Sequence, residues 1–393
     1  MTRVWIADRG KDYSGSRYRV VWIDPSTRRE RSRSFKRKRD AEAFQTATEH
    51  GFRSGPYRDP SDARKLFADA SSLWMQSRRK IRDSTRERDE GDIARWVLPM
   101  WGHREIGSIR RDEVEAWIPQ LQDGSAPHSY DERRGSKEAR GLAGSSIKAL
   151  HVDFNGVLAH AVKMGWIASN PAQGVELPPV AEPAHVYLDF SEVETLVNRV
   201  ESVSTAQDAT LTRFLAFAGA RIGEALSLRV GDVDLRNHRV LIERTWTGSR
   251  SSIKLGPPKT GKARRVPLHD FLADEIALLT QDRAPHDWLF AAPRNGPWWP
   301  NNWRERVWRR AVRDTEFAEM GLTPHGLRHT AASMAIASGA DVMVVQTMLG
   351  HSSPVETLKT YSHLWPDRLD EVSTKVSEAR SRWLRHQMSD LAA

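Results

Sequence analysis

"TPHGLRHT", residues 323–330, sets two imidazoles and a guanidinium at spacings of three and four. On a helix, His325, Arg328 and His329 then share one face. Thr323 reads as the helix cap and Pro324 as its first turn. Such a face could hold a metal, grip a phosphate, or simply pack, with His329 satisfying a buried polar contact. The zinc-helix pattern needs a glutamate beside its first histidine. Here Gly-Leu-Arg intervenes, and Arg328 would repel a cation. An Arg fork with an imidazole donor near a helix start suits an anion better.

Three further stretches lie outward from this one. In "AGARIGEALSLRVGDVDL" (218–235) a helix is expected to end near Gly219, leaving Arg221 at a junction with its fork outward. Glu224 is placed to hold that fork, although alone the two would be an ordinary surface pair. In "PPKTGKARRVPL" (257–268) Lys259 precedes Thr260-Gly261, a tight turn between strands, and alone would be an exposed hairpin-tip lysine. In "MLGHSSPVETLKTYSHL" (348–364) Gly350 stops a helix and His351 occupies the turn. Ser353-Pro354-Val355-Glu356 reads as a capping box opening a helix that carries Tyr361 near its far end. A lone tyrosine is packing. Beside two Arg, two His and a Lys, its phenol, with an ordinary pKa of about 10, is expected to shift toward the phenolate. Together these groups have the parts for phosphoryl transfer without metal or ATP. Two Arg neutralise the equatorial oxygens, a Tyr oxygen attacks phosphorus, and a Lys protonates the departing alkoxide.

The 393 residues allow two or three domains. No run approaches a membrane span, and "MTRVWIADRG" lacks the apolar stretch of a signal peptide. Cysteine is absent, which removes disulfides and thiolate metal sites and fits a reducing cytosol. The net charge of +9 suits a polyanionic partner but is modest for this length. Its placement says more: "RRERSRSFKRKR" (28–39) holds eight basic residues and one acid. That run reads as a nucleic-acid contact rather than a merely solvated face.

Residues 1–50 read as a separate unit of strands "VWIA" (4–7), "RYRVVWI" (17–23) and "RSRSF" (31–35), then a helix from Asp40. "GFRSGPYRDPSD" (51–62) reads as a linker. Residues 63–170 are helical in pattern, with three apolar faces. These are Leu66, Phe67, Ala70, Leu73 and Trp74; Val114, Trp117, Ile118 and Leu121; and Ile147, Leu150, Phe154, Val157, Leu158 and Ala161. Between the last two lies a polar loop, 122–144, whose Arg133, Arg134, Lys137 and Arg140 more simply face solvent than a nucleic-acid backbone. "NPAQGVELPPVAEPAH" (170–185) is an extended connector. Helices are expected over 191–230, strands at 239–244 and 263–268, and helices again to 385.

The order Arg221, Lys259, His325–Arg328, His351, Tyr361, carried by "ARIGEAL", "PKTGKARRVPL", "HGLRHT", "LGHSS" and "TYSHL", resembles the tyrosine recombinase (phage integrase) family. The resemblance extends to 63–170, similar to the family's helical core-site-binding domain, and more weakly to 1–50, similar to the arm-site-binding domain of larger phage integrases. It implies a multidomain α+β chain: a small three-stranded sheet plus helix at 1–50, an all-α core-binding domain at 63–170, and a mostly α catalytic domain with a small antiparallel sheet at 186–385. It implies a site-specific DNA recombinase working through a 3′-phosphotyrosyl intermediate on Tyr361. Arg221 and Arg328 would hold the non-bridging oxygens, and Lys259, rather than its rival Lys262, would be the general acid. His325 would act in proton transfer, His351 would hydrogen-bond the phosphate, and Glu224 would support the site from behind. No catalytic position departs from the family pattern. The implied partners are double-stranded DNA attachment sites, a homotetramer formed on them and accessory DNA-bending or directionality proteins, in the host cytoplasm, with no cofactor, no metal and no membrane. A chromosome or plasmid resolvase, or a type IB topoisomerase-like enzyme, shares the chemistry; the basic first module favours integration. A regulator with a dead site conflicts with the complete residue set, and a His-based metalloenzyme with Arg328.

Overall fold

In the computed structural model, the described residues are 4–10, 15–23, 29–53, 62–129, 141–180, 185–248, 253–365 and 369–391. The chain divides into two compact units, Met1–Glu182 and Pro183–Ala393.

The first unit opens with antiparallel strands β1 (Val4–Asp8), β2 (Tyr18–Ile23) and β3 (Glu30–Phe35), in that spatial order. Val4 pairs with Trp22 and Tyr18 with Phe35. Alternate residues Val20 and Trp22 turn inward, onto Ala41 and Phe44 of α1 (Lys38–Arg53). The helix starts two residues before the expected Asp40. It also takes the first three residues of the expected linker, of which 54–61 lie outside the described residues. The basic run forms edge strand β3 and the start of α1, with Arg31, Arg37 and Arg39 exposed. A charged edge also resists strand addition by another chain.

Next come α2 (Phe67–Ser77), α3 (Asp83–Asp92), a π turn at Ile93–Val97 leading into α4 (Leu98–Trp101), α5 (Arg111–Asp123) and α6 (Gly144–Lys163). The expected apolar faces of α5 and α6 are buried throughout. That of α2 needs correction. Leu66 precedes the helix and is exposed, and so is Leu73, while Phe67, Ala70, Ser71 and Met75 face inward. At 100° per residue the stripe through Phe67, Ala70 and Ser71 leaves Leu73 well to one side. Phe154 is the hub of this core, stacked on Phe67 at 5.2 Å and touched by Trp101 and Trp117 at 5.4 and 5.3 Å. The polar loop keeps its ends, but 130–140, with Arg133, Arg134, Lys137 and Arg140, lies outside the described residues. Residues 170–180 of the connector hold neither helix nor strand.

The second unit begins with α7 (Phe190–Val203), α8 (Ala206–Ala218) and the single turn α9 (Ile222–Ala225). Strands β4 (Val233–Asp234), β5 (Arg239–Ile242), β6 (Thr245–Gly248), β7 (Ile253–Gly256) and β8 (Arg264–Pro267) form two sheets, β4-β5-β8 and the hairpin β6-β7. The hairpin was not legible in the sequence, and it alters the setting of Lys259. That residue lies in the turn linking β7 of one sheet to β8 of the other, rather than at the tip of a hairpin. Helices follow: α10 (Asp270–Thr280), α11 (Pro300–Trp303), a π turn at Arg304–Trp308 into α12 (Arg309–Val312), and α13 (Glu316–Glu319). Last are α14 (Gly326–Ala337), α15 (Val342–Leu349), α16 (Pro354–Tyr361) and α17 (Leu369–Leu391). Helix α8 is buried along most of its length, and its Leu211, Phe214 and Leu215 share one core with Val240, Val266, Trp303 and Leu327. Among the described residues no helix is long and apolar enough to cross a membrane.

Inside the helical core Asp89 is fully buried and paired with Arg78 at 2.5 Å and Arg88 at 2.7 Å, while Asp153 stands 3.8 Å from Arg78. Loss of water, reinforced by Asp89 and only partly opposed by Arg78 and Arg88, pushes the Asp153 carboxyl from 3.8 up to about 6. Between those values the folded chain binds more protons than the unfolded one, so this carboxyl lowers stability as pH rises. Asp153→Asn is expected to stabilise the fold at neutral pH by up to about 2 kcal/mol, with the gain vanishing in acid below both values. Thermal melts across that range check this; a gain that persists unchanged in acid would contradict it.

Candidate active site

The site is assembled on two helix ends that need left-handed backbone. Gly219 closes α8 at φ 65° and Gly350 closes α15 at φ 64°. A side chain at either would also collide, at 2.9 Å, with Leu349 in the first case and the Arg264 guanidinium in the second. These sharp turns bring Arg221, which caps α9, and His351, which follows α15, toward the start of α14.

Glu224 is the anchor. It is fully buried and accepts from the Arg221 backbone N–H at 2.9 Å and Arg221 Nη1 at 3.1 Å. It also accepts two bonds from Arg264, at 3.1 and 2.7 Å. Burial alone would raise this carboxyl, but Arg264 and Arg221 outweigh it and hold it below its usual range. Arg264 donates its Nε–H to the Met348 carbonyl at 3.0 Å, tying the same carboxylate to the His351 turn. The sequence reading missed Arg264. Its signal was alternation in "ARRVPL": Arg264 takes the inward position shared with Val266, and an arginine on a strand's apolar side implies a buried partner.

Arg328 is 2% exposed. Its Nη1 donates to the Gly219 carbonyl at 2.8 Å, and its buried Nη2 has no hydrogen-bond partner among the described residues. Lost hydration, then the Arg221 charge, lowers its pKa to about 9, which leaves it a cation at neutral pH. His325 occupies the position before α14 and is exposed. Although the residue as a whole is exposed, its imidazole is partly shielded; that lost hydration, then Arg328, Arg221 and Lys259, depress its pKa, which puts that lysine within electrostatic reach of the site. Lys262 is exposed. The His351 ring shares a hydrogen bond of 2.9 Å with the Thr357 hydroxyl, and burial followed by Arg328 takes its pKa down to about 4.

Tyr361 ends α16 with 1% exposure, its ring parallel to His351 at 6.4 Å. Its hydroxyl lies 2.9 Å from His329 Nδ1, so His329 is more than a packing residue. The expectation for the phenol is overturned. Burial outweighs Arg328 and Arg221 and pushes its pKa up to about 12, so the resting group is neutral. Two local expectations also change. Helix α14 begins at Gly326, with the Thr323 hydroxyl accepting its N–H at 3.2 Å from before the turn. At α16 Ser353 caps the Val355 N–H at 3.1 Å, but Glu356 reaches the Ser352 hydroxyl rather than closing a capping box. Among the described residues no cluster of three His or carboxylate groups has metal-binding geometry.

A two-guanidinium pocket beside a buried tyrosine defines a candidate phosphotransfer site, and comparison with known proteins gives the class. Residues 186–368 match the model of the Phage integrase family. The chain is 30% identical over 290 residues to tyrosine recombinase XerD of Corynebacterium glutamicum, covering 72% of this chain and 88% of that one. It is 27% identical to XerD of Pseudomonas aeruginosa, covering 79% and 95%. In fold it is similar to the Tn1549 transposon integrase in complex with transposon right end DNA, with TM-score 0.63, 16% identity and coverage of 80% and 100%. It is likewise similar to a lambda integrase tetramer bound to a Holliday junction, with TM-score 0.57, 16% identity and coverage of 89% and 96%. The chain belongs to the tyrosine recombinase (phage integrase) family, whose members are site-specific DNA recombinases.

Removing Arg264 would leave the buried Glu224 carboxylate with Arg221 as its one hydrogen-bonded guanidinium among the described residues. Arg264→Met is expected to cost about 3–5 kcal/mol, and the double change with Glu224→Gln much less than the sum of the two. Denaturant unfolding of the four-member cycle checks this, and additive costs would contradict the coupling.

Proposed function

We propose that this chain is an integrase that cuts and rejoins DNA at attachment sites through a 3′-phosphotyrosyl bond on Tyr361, inserting and excising phage or mobile-element DNA. The observation that carries this reading is the buried Arg328, with one arm fixed on Gly219 and the other unpaired among the described residues, close to Arg221 and Tyr361. A phosphodiester is the anion that completes such a fork. Tyr361 attacks phosphorus and the 5′-oxygen leaves. The bond energy is stored in the phosphotyrosine until a 5′-hydroxyl from a partner duplex reverses the step. Arg221 and Arg328 neutralise the charge that grows on the non-bridging oxygens. Lys259 protonates the leaving oxygen, His325 and His351 hydrogen-bond the phosphate, and Glu224 fixes Arg221.

The working species in this reading is a homotetramer on duplex DNA in the host cytoplasm, assisted by DNA-bending or directionality proteins. Residues 1–50 serve as an arm-site binder, a role supported by the basic edge strand β3. Residues 63–170 grip the core site, and 186–385 hold the chemistry. A second reading, resolution of chromosome or plasmid multimers, is favoured by the likeness to proteins named XerD.

One assay tests both readings: incubation with a nicked core-site duplex that traps the covalent adduct. Wild type is expected to form the adduct with or without EDTA. Tyr361→Phe should bind DNA and form none, and Arg328→Ala should be slower by about 10²–10³-fold. An adduct persisting in Tyr361→Phe would remove the nucleophile from its role. Removing residues 1–50 should spare the adduct while impairing integration; equal loss of both would remove the arm-site role.

A further inference from the structure

We propose that His329, and not His325, accepts the proton of the Tyr361 phenol as its oxygen attacks phosphorus. The inference rests on Tyr361 being the nucleophile. A buried, neutral phenol cannot release its proton to bulk water, so the step needs an acceptor already in contact. The Tyr361 hydroxyl makes one hydrogen bond among the described residues, at 2.9 Å to His329 Nδ1. The other imidazoles are placed differently. His325 is exposed, lies edge-on to His329 at 5.2 Å and makes no hydrogen bond to the phenol. His351 has its Nδ1 on the Thr357 hydroxyl.

The surroundings of His329 keep it in the form an acceptor requires. Its ring packs on His185 at 4.2 Å. Burial first, then His185, His325, Arg328 and His351, lower its pKa to about 4, so the ring is neutral at neutral pH. With the proton on Nε2, the Nδ1 lone pair faces the phenol. The charge balance then changes when DNA enters. A phosphodiester brings a negative charge into a group of cations, which raises the basicity of His329 at the moment it is needed. In the step itself the bond from the Tyr361 oxygen to phosphorus forms and the bond from phosphorus to the 5′-oxygen breaks. The phenolic proton passes to His329 Nδ1, and the leaving oxygen takes a proton from Lys259. Religation returns both protons.

The closing experiment uses full-length protein and core-site duplexes with either an oxygen or a sulfur at the scissile 5′ position. A thiolate leaves without a proton, so sulfur isolates the nucleophile's side of the reaction. His329→Asn keeps an acceptor near the Nδ1 position but cannot take up a proton. It is expected to bind DNA as wild type does and to form adduct about a hundredfold more slowly on both duplexes. Its deficit should shrink as pH rises toward phenol ionisation, and imidazole should restore rate to His329→Ala. Lys259→Ala, in contrast, should be rescued by sulfur. Adduct formation by His329→Asn within threefold of wild type would overturn the proposal, as would an equal loss at every pH with no imidazole rescue. Should the variants fail to fold, nitrogen-15 NMR of histidine-labelled wild type decides: an unprotonated Nδ1 on His329 is expected, and a protonated Nδ1 would overturn it. A Tyr361→Phe protein that still forms adduct would refute the nucleophile itself, an outcome distinct from any His329 result.

Discussion

A guanidinium held out of water dominates this structure. Arg328 is 2% exposed, and among the described residues its guanidinium has one hydrogen-bond partner, the Gly219 carbonyl. A buried charge is costly unless something opposite faces it. The nearby carboxylate, Glu224, is already engaged by Arg221 and Arg264. One carboxylate among three guanidinium groups leaves a net positive pocket in a poorly hydrated setting, where a phosphate is attracted far more strongly than at a surface. The same lack of water keeps the Tyr361 phenol protonated. A single constraint thus creates both the anion site and the need for a proton acceptor.

The means of convergence are simple. Gly219 and Gly350 end two helices at positive φ, and each admits a close neighbour that a side chain would exclude. Arg264 joins the two ends by holding Glu224 with its terminal nitrogens and the Met348 carbonyl with its Nε. Residues separated by more than a hundred positions therefore share one rigid support. The first unit has a comparable but less fully compensated device, in which Asp89 and Asp153 share Arg78 inside an aromatic core.

Much of this was legible in the sequence. The helix ends at Gly219 and Gly350, the junction position of Arg221 and the terminal position of Tyr361 follow from local rules. The apolar faces of α5 and α6 were clear because each stripe is unbroken. What was missed depends on tertiary context. Leu73 reads as core until the stripe of α2 is located by its partners. The hairpin β6-β7 hides because "TWTG" and "IKLG" are too short to show alternation. The sign of the Tyr361 shift required knowing that burial exceeds the pull of the cations, which a list of charges does not reveal. His329 was legible as a face-mate of Arg328, but its contact with Tyr361 spans 32 residues and needed coordinates.

The central claim, that the paired guanidinium groups and Tyr361 address one phosphorus, is tested most directly by a crystal structure of the chain on a nicked core-site duplex with orthovanadate. The expected result is vanadium bonded to the Tyr361 oxygen, with Arg221 and the free Nη2 of Arg328 at about 3 Å from its equatorial oxygens. Vanadate bonded to another residue, or Arg328 still out of reach of the oxygens, would contradict it.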